Sequence, residues 1–199
     1  MRKMFFIVLV ATALLLIAPA QNAQAQSETP KVEFGAQYTL LRLRDFDTTD
    51  SGVGGRLTYN ITDSFGIEGE FNFFPEKRIN FANPFYLDSR RTQGLFGVKY
   101  GMRSEKAGIF GKLRPGFVHF GESRINPAIQ FLLPVPPTAS STEFALDVGG
   151  VFELYPTRAV ALRFDLGDTI IRFGHFGGAG GPSATTHNLQ LTAGVALRF

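Results

Sequence analysis

Apolar and polar residues alternate with a period of two in eight separate stretches of the chain, the pattern of strands with one face buried. In the first, Val32, Phe34, Ala36, Tyr38 and Leu40 share one face, and Glu33, Gly35, Gln37 and Thr39 the other. Val53, Gly55, Leu57, Tyr59 and Ile61 oppose Gly54, Arg56, Thr58 and Asn60 in the second. The third sets Phe65, Ile67, Phe71 and Phe73 against Glu68, Glu70 and Asn72. In the fourth, Phe96, Val98, Tyr100 and Met102 oppose Gln93, Gly97, Lys99 and Gly101. Ile109, Gly111 and Leu113 against Lys112 and Arg114 form the fifth. The sixth places Phe144, Leu146, Val148, Phe152 and Leu154 opposite Asp147, Gly149 and Glu153. Val160, Leu162, Phe164 and Leu166 oppose Arg163 and Asp165 in the seventh. The eighth ends at Phe199, with Leu189, Leu191, Ala193, Val195 and Leu197 against Asn188, Gln190, Thr192, Gly194 and Arg198.

The segments between these stretches sort by parity. Those after strands two, four and six are short, at 62–64, 103–107 and 155–158. Those after strands one, three, five and seven are longer, at 44–52, 75–91, 121–142 and 167–186. Short turns at one end and long loops at the other characterise an outer-membrane barrel, with the turns in the periplasm. Parity does not say which face points inward, because a soluble eight-stranded barrel also alternates. The polar face is crowded with Gly, Thr, Asn and paired charges, which suits a narrow filled interior better than a water-facing exterior. Tyr59, Phe65, Tyr100, Tyr155 and Phe199 gather at the predicted periplasmic ends, as an interfacial aromatic girdle would.

The N-terminus adds a compartment. Arg2 and Lys3 precede an apolar run from Met4 to Ile17, and Ala23-Gln24-Ala25 supplies a small-x-small cleavage site, with Ala18-Pro19-Ala20 as a second candidate. The run is shorter than a membrane-spanning helix, so residues 1–25 read as a secretory signal peptide and 26–199 as a barrel domain. Without Arg2 and Lys3, eighteen basic residues face seventeen acidic ones. That near-neutral balance argues against a nucleic-acid partner. The chain has no cysteine, which excludes disulfides, thiol catalysis and cysteine-held metal.

With these features in place, the chain resembles the OmpA-like outer-membrane β-barrel domain family, the small eight-stranded barrels of Gram-negative bacteria. The signal peptide, the eight alternating strands and the terminal Val195-Ala196-Leu197-Arg198-Phe199 carry the resemblance. It implies an all-β, eight-stranded antiparallel up-and-down transmembrane β-barrel surrounded by outer-membrane lipid, and the chain is expected to be monomeric or weakly associating. It also implies that Phe199 is the signal read by the barrel-assembly machinery. The sequence departs from full-length OmpA in showing no peptidoglycan-binding domain after the barrel, so no anchoring role is carried over.

The polar face holds the candidate chemistry. Tracing strand directions puts Glu68, Glu70, Lys112, Arg114, Arg163 and Asp165 near mid-height. Buried charges must be paired, and an eight-stranded barrel is only wide enough for its own side chains, so these six read as an ion-pair network plugging the lumen. Acid–base catalysis by Glu68 and Glu70 is the sharper but weaker alternative.

Some small outer-membrane barrels modify lipid A with His and Ser near the outer rim. Here His119, Glu122 and Ser123 lie together, and His175 and His187 flank the last loop. The tight His-x-Ser spacing of the deacylases is missing. The reading is therefore no catalytic residue, cofactor or metal, with a lipid-modifying enzyme or a small pore as alternatives. Pro115 removes a ladder donor and, with Gly116, marks a candidate bulge that would turn His119 to the other face. Two loop segments, 81–87 and 129–137, are apolar enough either to contact an extracellular partner or to extend the strands as a cap.

Overall fold

The structure, a computed structural model, describes residues 30–44, 48–75, 90–124, 138–174 and 183–199. The proposed signal peptide, the apolar segments 81–87 and 129–137, and His175 lie outside the described residues.

Eight strands form one closed antiparallel barrel: β1 (Val32–Leu43), β2 (Thr48–Asn60), β3 (Phe65–Phe74), β4 (Arg91–Arg103), β5 (Ala107–Arg124), β6 (Thr138–Thr157), β7 (Val160–Phe173) and β8 (Ala184–Arg198). Each strand pairs with its sequence neighbour, and β8 pairs with β1 to remove the last free edge. At the seam Val32 N donates to Phe199 O (3.1 Å) and Phe199 N to Val32 O (2.8 Å).

The alternation decides which face is which. Odd positions of β1 and even positions of β2 point inward, so Glu33, Gln37, Thr39, Arg56, Thr58 and Asn60 are buried. Phe34, Tyr38, Val53, Leu57 and Tyr59 point outward and are exposed. Twenty-five large apolar side chains of the described residues are exposed in this way, far more than a water-facing surface carries.

The short turns are compact. Residues 61–64 close on Ile61 N→Phe65 O (2.9 Å), with the Thr62 hydroxyl accepting from Phe65 N (3.0 Å). At 104–106, Ser104 N and Oγ both donate to Ala107 O, at 2.7 and 2.8 Å.

Three sequence expectations change. The strands run further at the end away from these turns: β2 begins at Thr48 and β7 reaches Phe173, and β5 and β6 are 18 and 20 residues long. Pro115 does not shift the register, since the β5–β6 pairing is continuous from Ala107↔Leu154 to Phe120↔Ser141 and slips only between Phe120 and Ser123. A proline on an outward position costs a ladder donor without needing an extra residue. Tyr155 is not in the aromatic girdle. It points inward and is buried, because its odd number on β6 puts it on the face of Glu153.

Candidate functional site

The interior is layered, and register builds the layers. On the inward face, cross-strand partners are repeatedly of opposite charge: Arg56↔Glu70 between β2 and β3, Arg114↔Asp147 between β5 and β6, Glu153↔Arg163 between β6 and β7. Such directly opposed pairs favour the register that creates them.

Two arginines organise the middle. Arg114 donates from Nε and Nη2 to Asp147 Oδ2 (2.9 and 2.6 Å) and from Nη1 to Glu70 Oε2 (2.5 Å). Arg163 donates from Nε to Asp165 Oδ1 (2.6 Å), from Nη1 to Glu153 Oε1 (3.2 Å) and from Nη2 to Glu68 Oε2 (2.9 Å), with a second bond to Glu68 from Nη1. Lys112 Nζ lies 2.9 Å from Asp147 and 3.5 Å from Asp165. Glu68, Glu70, Lys112, Arg114, Arg163 and Asp165 thus stand in one buried cluster, together with Asp147 and Glu153. In a ring of eight strands β3 and β7 are opposite, so the Arg163–Glu68 bonds cross the bore. Gly167 leaves room for the Lys112–Asp147 pair, since a Cβ there would lie 2.7 Å from Asp147 Oδ1 and 3.2 Å from Lys112 Cε.

Lys99 and Lys112 face each other across β4 and β5, an unfavourable pair on paper. They separate by reaching to different layers. Lys99 turns to Glu153 (2.8 Å) and Glu33 (3.7 Å). Below them, Glu33 accepts from Asn60 Nδ2 (2.9 Å) and lies 3.3 Å from Arg198 Nε and 3.4 Å from Arg103 Nη2. The Arg198 guanidinium sits 4.0 Å from the centroid of the Tyr155 ring, whose hydroxyl donates to Glu153 (2.7 Å).

Above the charges lies an amide layer that the sequence reading did not single out. Gln37 Nε2 donates to Asn72 Oδ1 (2.8 Å), Asn72 Nδ2 to Gln93 Oε1 (2.8 Å) and to Glu70 Oε1 (2.7 Å), and Gln93 Nε2 to Gln190 Oε1 (3.0 Å). Higher still is an apolar cluster of Leu41, Leu43, Phe74, Leu95, Val118, Ala145, Ile171 and Phe173, with the Phe120 ring against Phe173. The buried Arg91–Asp50 ion pair sits at this level, its guanidinium over Phe120. Reading 44–52, 75–91 and 167–186 as loops hid Asp50, Arg91, Ile171 and Phe173 of this layer.

Two of the rim residues considered for catalysis, His119 and His187, face away from the lumen. His119 Nδ1 is 2.8 Å from Thr142 Oγ1 on the exterior of β5 and β6, and His187 Nδ1 is 2.6 Å from Asp168 Oδ2 on the exterior of β8 and β7. Glu122 is exposed, and the Ser123 side chain lies outside the described residues. No group of three potential metal ligands occurs among the described residues.

A family model described as "outer membrane protein beta-barrel domain" matches residues 10–199. Nothing among curated proteins matches the sequence. Among solved structures, the barrel is similar to Neisserial surface protein A, with TM-score 0.54 and 15% identity, covering 84% of this chain and 96% of that one. It is also similar to outer membrane protein W of E. coli, with TM-score 0.52, 14% identity, 87% of this chain and 100% of that one. At these identities the likeness is one of fold.

Proposed function

The chain belongs to the outer membrane protein β-barrel domain family, and on that premise we propose that it works as a closed, non-catalytic barrel whose role is carried by the segments above its rim. It resides in the bacterial outer membrane, as a small barrel with its apolar exterior in lipid. Following the general rule, the turns 61–64, 104–106 and 158–159 face the periplasm and the amide and apolar layers lie toward the cell exterior.

One observation carries the closed lumen: Arg163 of β7 bonds Glu68 of β3 across the bore, with both side chains fully buried. A pore would need that pair to separate, leaving two charges in a narrow, weakly hydrated space at a cost of several kcal/mol. The apolar layer above it supplies a second barrier. What supports a non-catalytic rim is that the described His pairs stand on different strands, His119 with the Thr142 hydroxyl on β5 and β6 and His187 with Asp168 on β8 and β7, so base and acid are not assembled around one hydroxyl. The reading includes export with removal of residues 1–25, and recognition of Phe199 by the barrel-assembly machinery. The place of Phe199 at the β1–β8 seam supports the latter.

Planar-bilayer recording of the purified barrel, with lipid A mass spectra of the cells that made it, tests this reading. The expected result is no sustained conductance and unchanged acylation. Stable ohmic openings would overturn the closed lumen, and an acyl chain gained or lost would overturn the absence of catalysis.

A further inference from the structure

Pro115 leaves a break in the barrel wall. The β4–β5 ladder runs from Arg91↔Phe120 to Leu95↔Gly116, resumes at Val98↔Leu113 and continues to Arg103↔Gly108. Only Phe96↔Pro115 and Gly97↔Arg114 are missing between these ends, and both strands advance equally across the gap. Alternation identifies the lost bond. Gly121 N donates to Arg90 O (2.8 Å) at the top of this ladder and Ser104 N to Ala107 O (2.7 Å) at its foot. The even positions of β4 are therefore the ones that exchange bonds with their partners, and Phe96 is one of them. Proline has no N–H, so Phe96 O loses the donor that residue 115 would otherwise supply. The ladder on the other side of Pro115 is intact, with Pro115 paired to Leu146.

The break lies in lipid. Phe96 and Pro115 are exposed on the exterior, beside Leu113 and Phe117 and level with the inward Arg114. A bilayer core offers no water to a bare carbonyl, so one is costly there and attracts any donor that reaches it.

The wall is hollowed at the same place. A groove of about 620 Å³ is lined by Phe96, Pro115 and Gly116 together with Gly69, Gly94 and Phe71. Its floor is low at Gly69, where a Cβ would meet nothing nearer than 3.9 Å. Arg56 and Glu70 also border it, but their side chains are buried in the lumen. A second exterior groove, of about 500 Å³ around Gly150, is similarly apolar. The ladders beneath that one are complete through Gly111↔Gly150, Gly150↔Leu166, Leu166↔Leu191 and Leu40↔Leu191. Shape is common to the two grooves, and the carbonyl without a donor separates them.

We propose that the groove at Pro115 binds a long-chain alcohol-like molecule, an apolar body with one hydrogen-bond donor, its hydroxyl on Phe96 O and its tail over Gly69 between Phe71 and Phe96. Complementarity selects this occupant. The groove presents one acceptor in an apolar surface. An anionic headgroup finds no cation there, a plain hydrocarbon leaves the carbonyl bare, and a protein strand brings several backbone donors to a single acceptor. The inference rests on the lipid-facing exterior and not on the closed lumen, so conductance and alcohol binding can fail independently.

Nuclear magnetic resonance of the full barrel in a neutral detergent reads the outcome. Carbonyl-labelled phenylalanine with nitrogen-labelled glycine makes the Phe96–Gly97 peptide visible, and the probes are dodecanol and dodecane. In wild type the Phe96 carbonyl should shift downfield and saturate with dodecanol, and stay in place with dodecane. Pro115→Ala restores the N–H, so its Phe96 resonance should start downfield and no longer respond. Gly69→Leu fills the groove and should abolish the response, whereas Gly150→Leu, in the other groove, should leave it as in wild type. Heat-modified migration on gels confirms that these variants fold. An equal response to dodecane, no saturable shift, or an unchanged response in Gly69→Leu would overturn the proposal. So would a wild-type resonance already downfield without alcohol, which would mean that water satisfies the carbonyl.

Discussion

On β1 the outward side chains below Leu41 are Val32, Phe34, Ala36, Tyr38 and Leu40, and the inward ones are Glu33, Gln37 and Thr39. From Leu41 upward the roles exchange: Leu41 and Leu43 point inward and Arg42 and Arg44 are exposed. β7 makes the same exchange, with Arg163 and Asp165 inside and Leu162, Phe164 and Leu166 outside in its lower part, then Ile171 and Phe173 inside and Arg172 outside above. The pleat runs unbroken through both halves, so what changes is the solvent on the exterior. Where lipid surrounds the wall, an apolar exterior is free of penalty and the interior can hold charge. Where water surrounds it, the wall follows the rule of a soluble barrel, with its apolar residues packed in the centre. One barrel thus contains a membrane section and a short water-soluble section joined in register.

The largest effect should come from removing a charge in the lower section. Arg163→Met leaves Glu68 and Asp165 buried without their main partner, and breaking a buried pair in this way costs about 3–5 kcal/mol. Urea unfolding of barrels folded into lipid vesicles measures the loss. The upper section should respond differently. There Arg91 and Asp50 lie among apolar neighbours, and replacing both by Met and Leu should change stability by less than about 1 kcal/mol, because a buried pair exchanged for apolar packing is often neutral. Equal losses at the two sites would erase the distinction between a network and a replaceable pair.

A lipid-facing charge gives the next effect. Leu57→Arg puts a cation near the middle of the apolar exterior of β2, which costs about 2–4 kcal/mol at the bilayer midplane. Ser51→Arg lies three outward positions higher on the same strand and should cost about 0–1 kcal/mol, as near an interface. The same unfolding assay compares them. If the two matched, the boundary between sections would have to lie elsewhere.

This inversion also explains what the sequence did and did not make legible. The lower strands were readable because polar and apolar residues alternate in a single phase, which is why Arg56, Glu70, Arg114 and Asp147 could be assigned to one face from spacing alone. The alternation of the first and seventh strands was followed only to Leu40 and Leu166 because the phase reverses above them: Leu41-Arg42-Leu43 and Ile171-Arg172-Phe173 continue the pleat with opposite polarity. A pattern search with a fixed inner face loses the strand at that point. Tyr155 misled for a related reason, since an aromatic near a strand end suits a girdle and a luminal cation–π contact equally well. Pro115 was ambiguous because an outward proline and a bulge share the same local sequence. The amide layer of Gln37, Asn72, Gln93 and Gln190 was on the correct face, but its closure depends on β1, β3, β4 and β8 converging, which only register determines.

The smallest effect distinguishes the two sections by packing alone. Ile171 is buried in the upper apolar cluster with no exposed surface, whereas Ile109 is 62% exposed on the lipid-facing exterior of β5. Ile→Val removes the same methylene at each. In the cluster the neighbours Leu43, Val118 and Phe173 are fixed by their strands and cannot flow into the gap, so the loss should be about 0.5–1.5 kcal/mol. On the exterior, acyl chains are liquid and refill the space at once, so no cavity persists and Ile109→Val should fall within about 0.5 kcal/mol of wild type. The pair reports directly on whether the upper interior is a packed solid. A loss at Ile171 as small as that at Ile109 would mean that water or mobile side chains fill the layer, and the apolar barrier above the Arg163–Glu68 pair would then be removed from the account of a closed lumen.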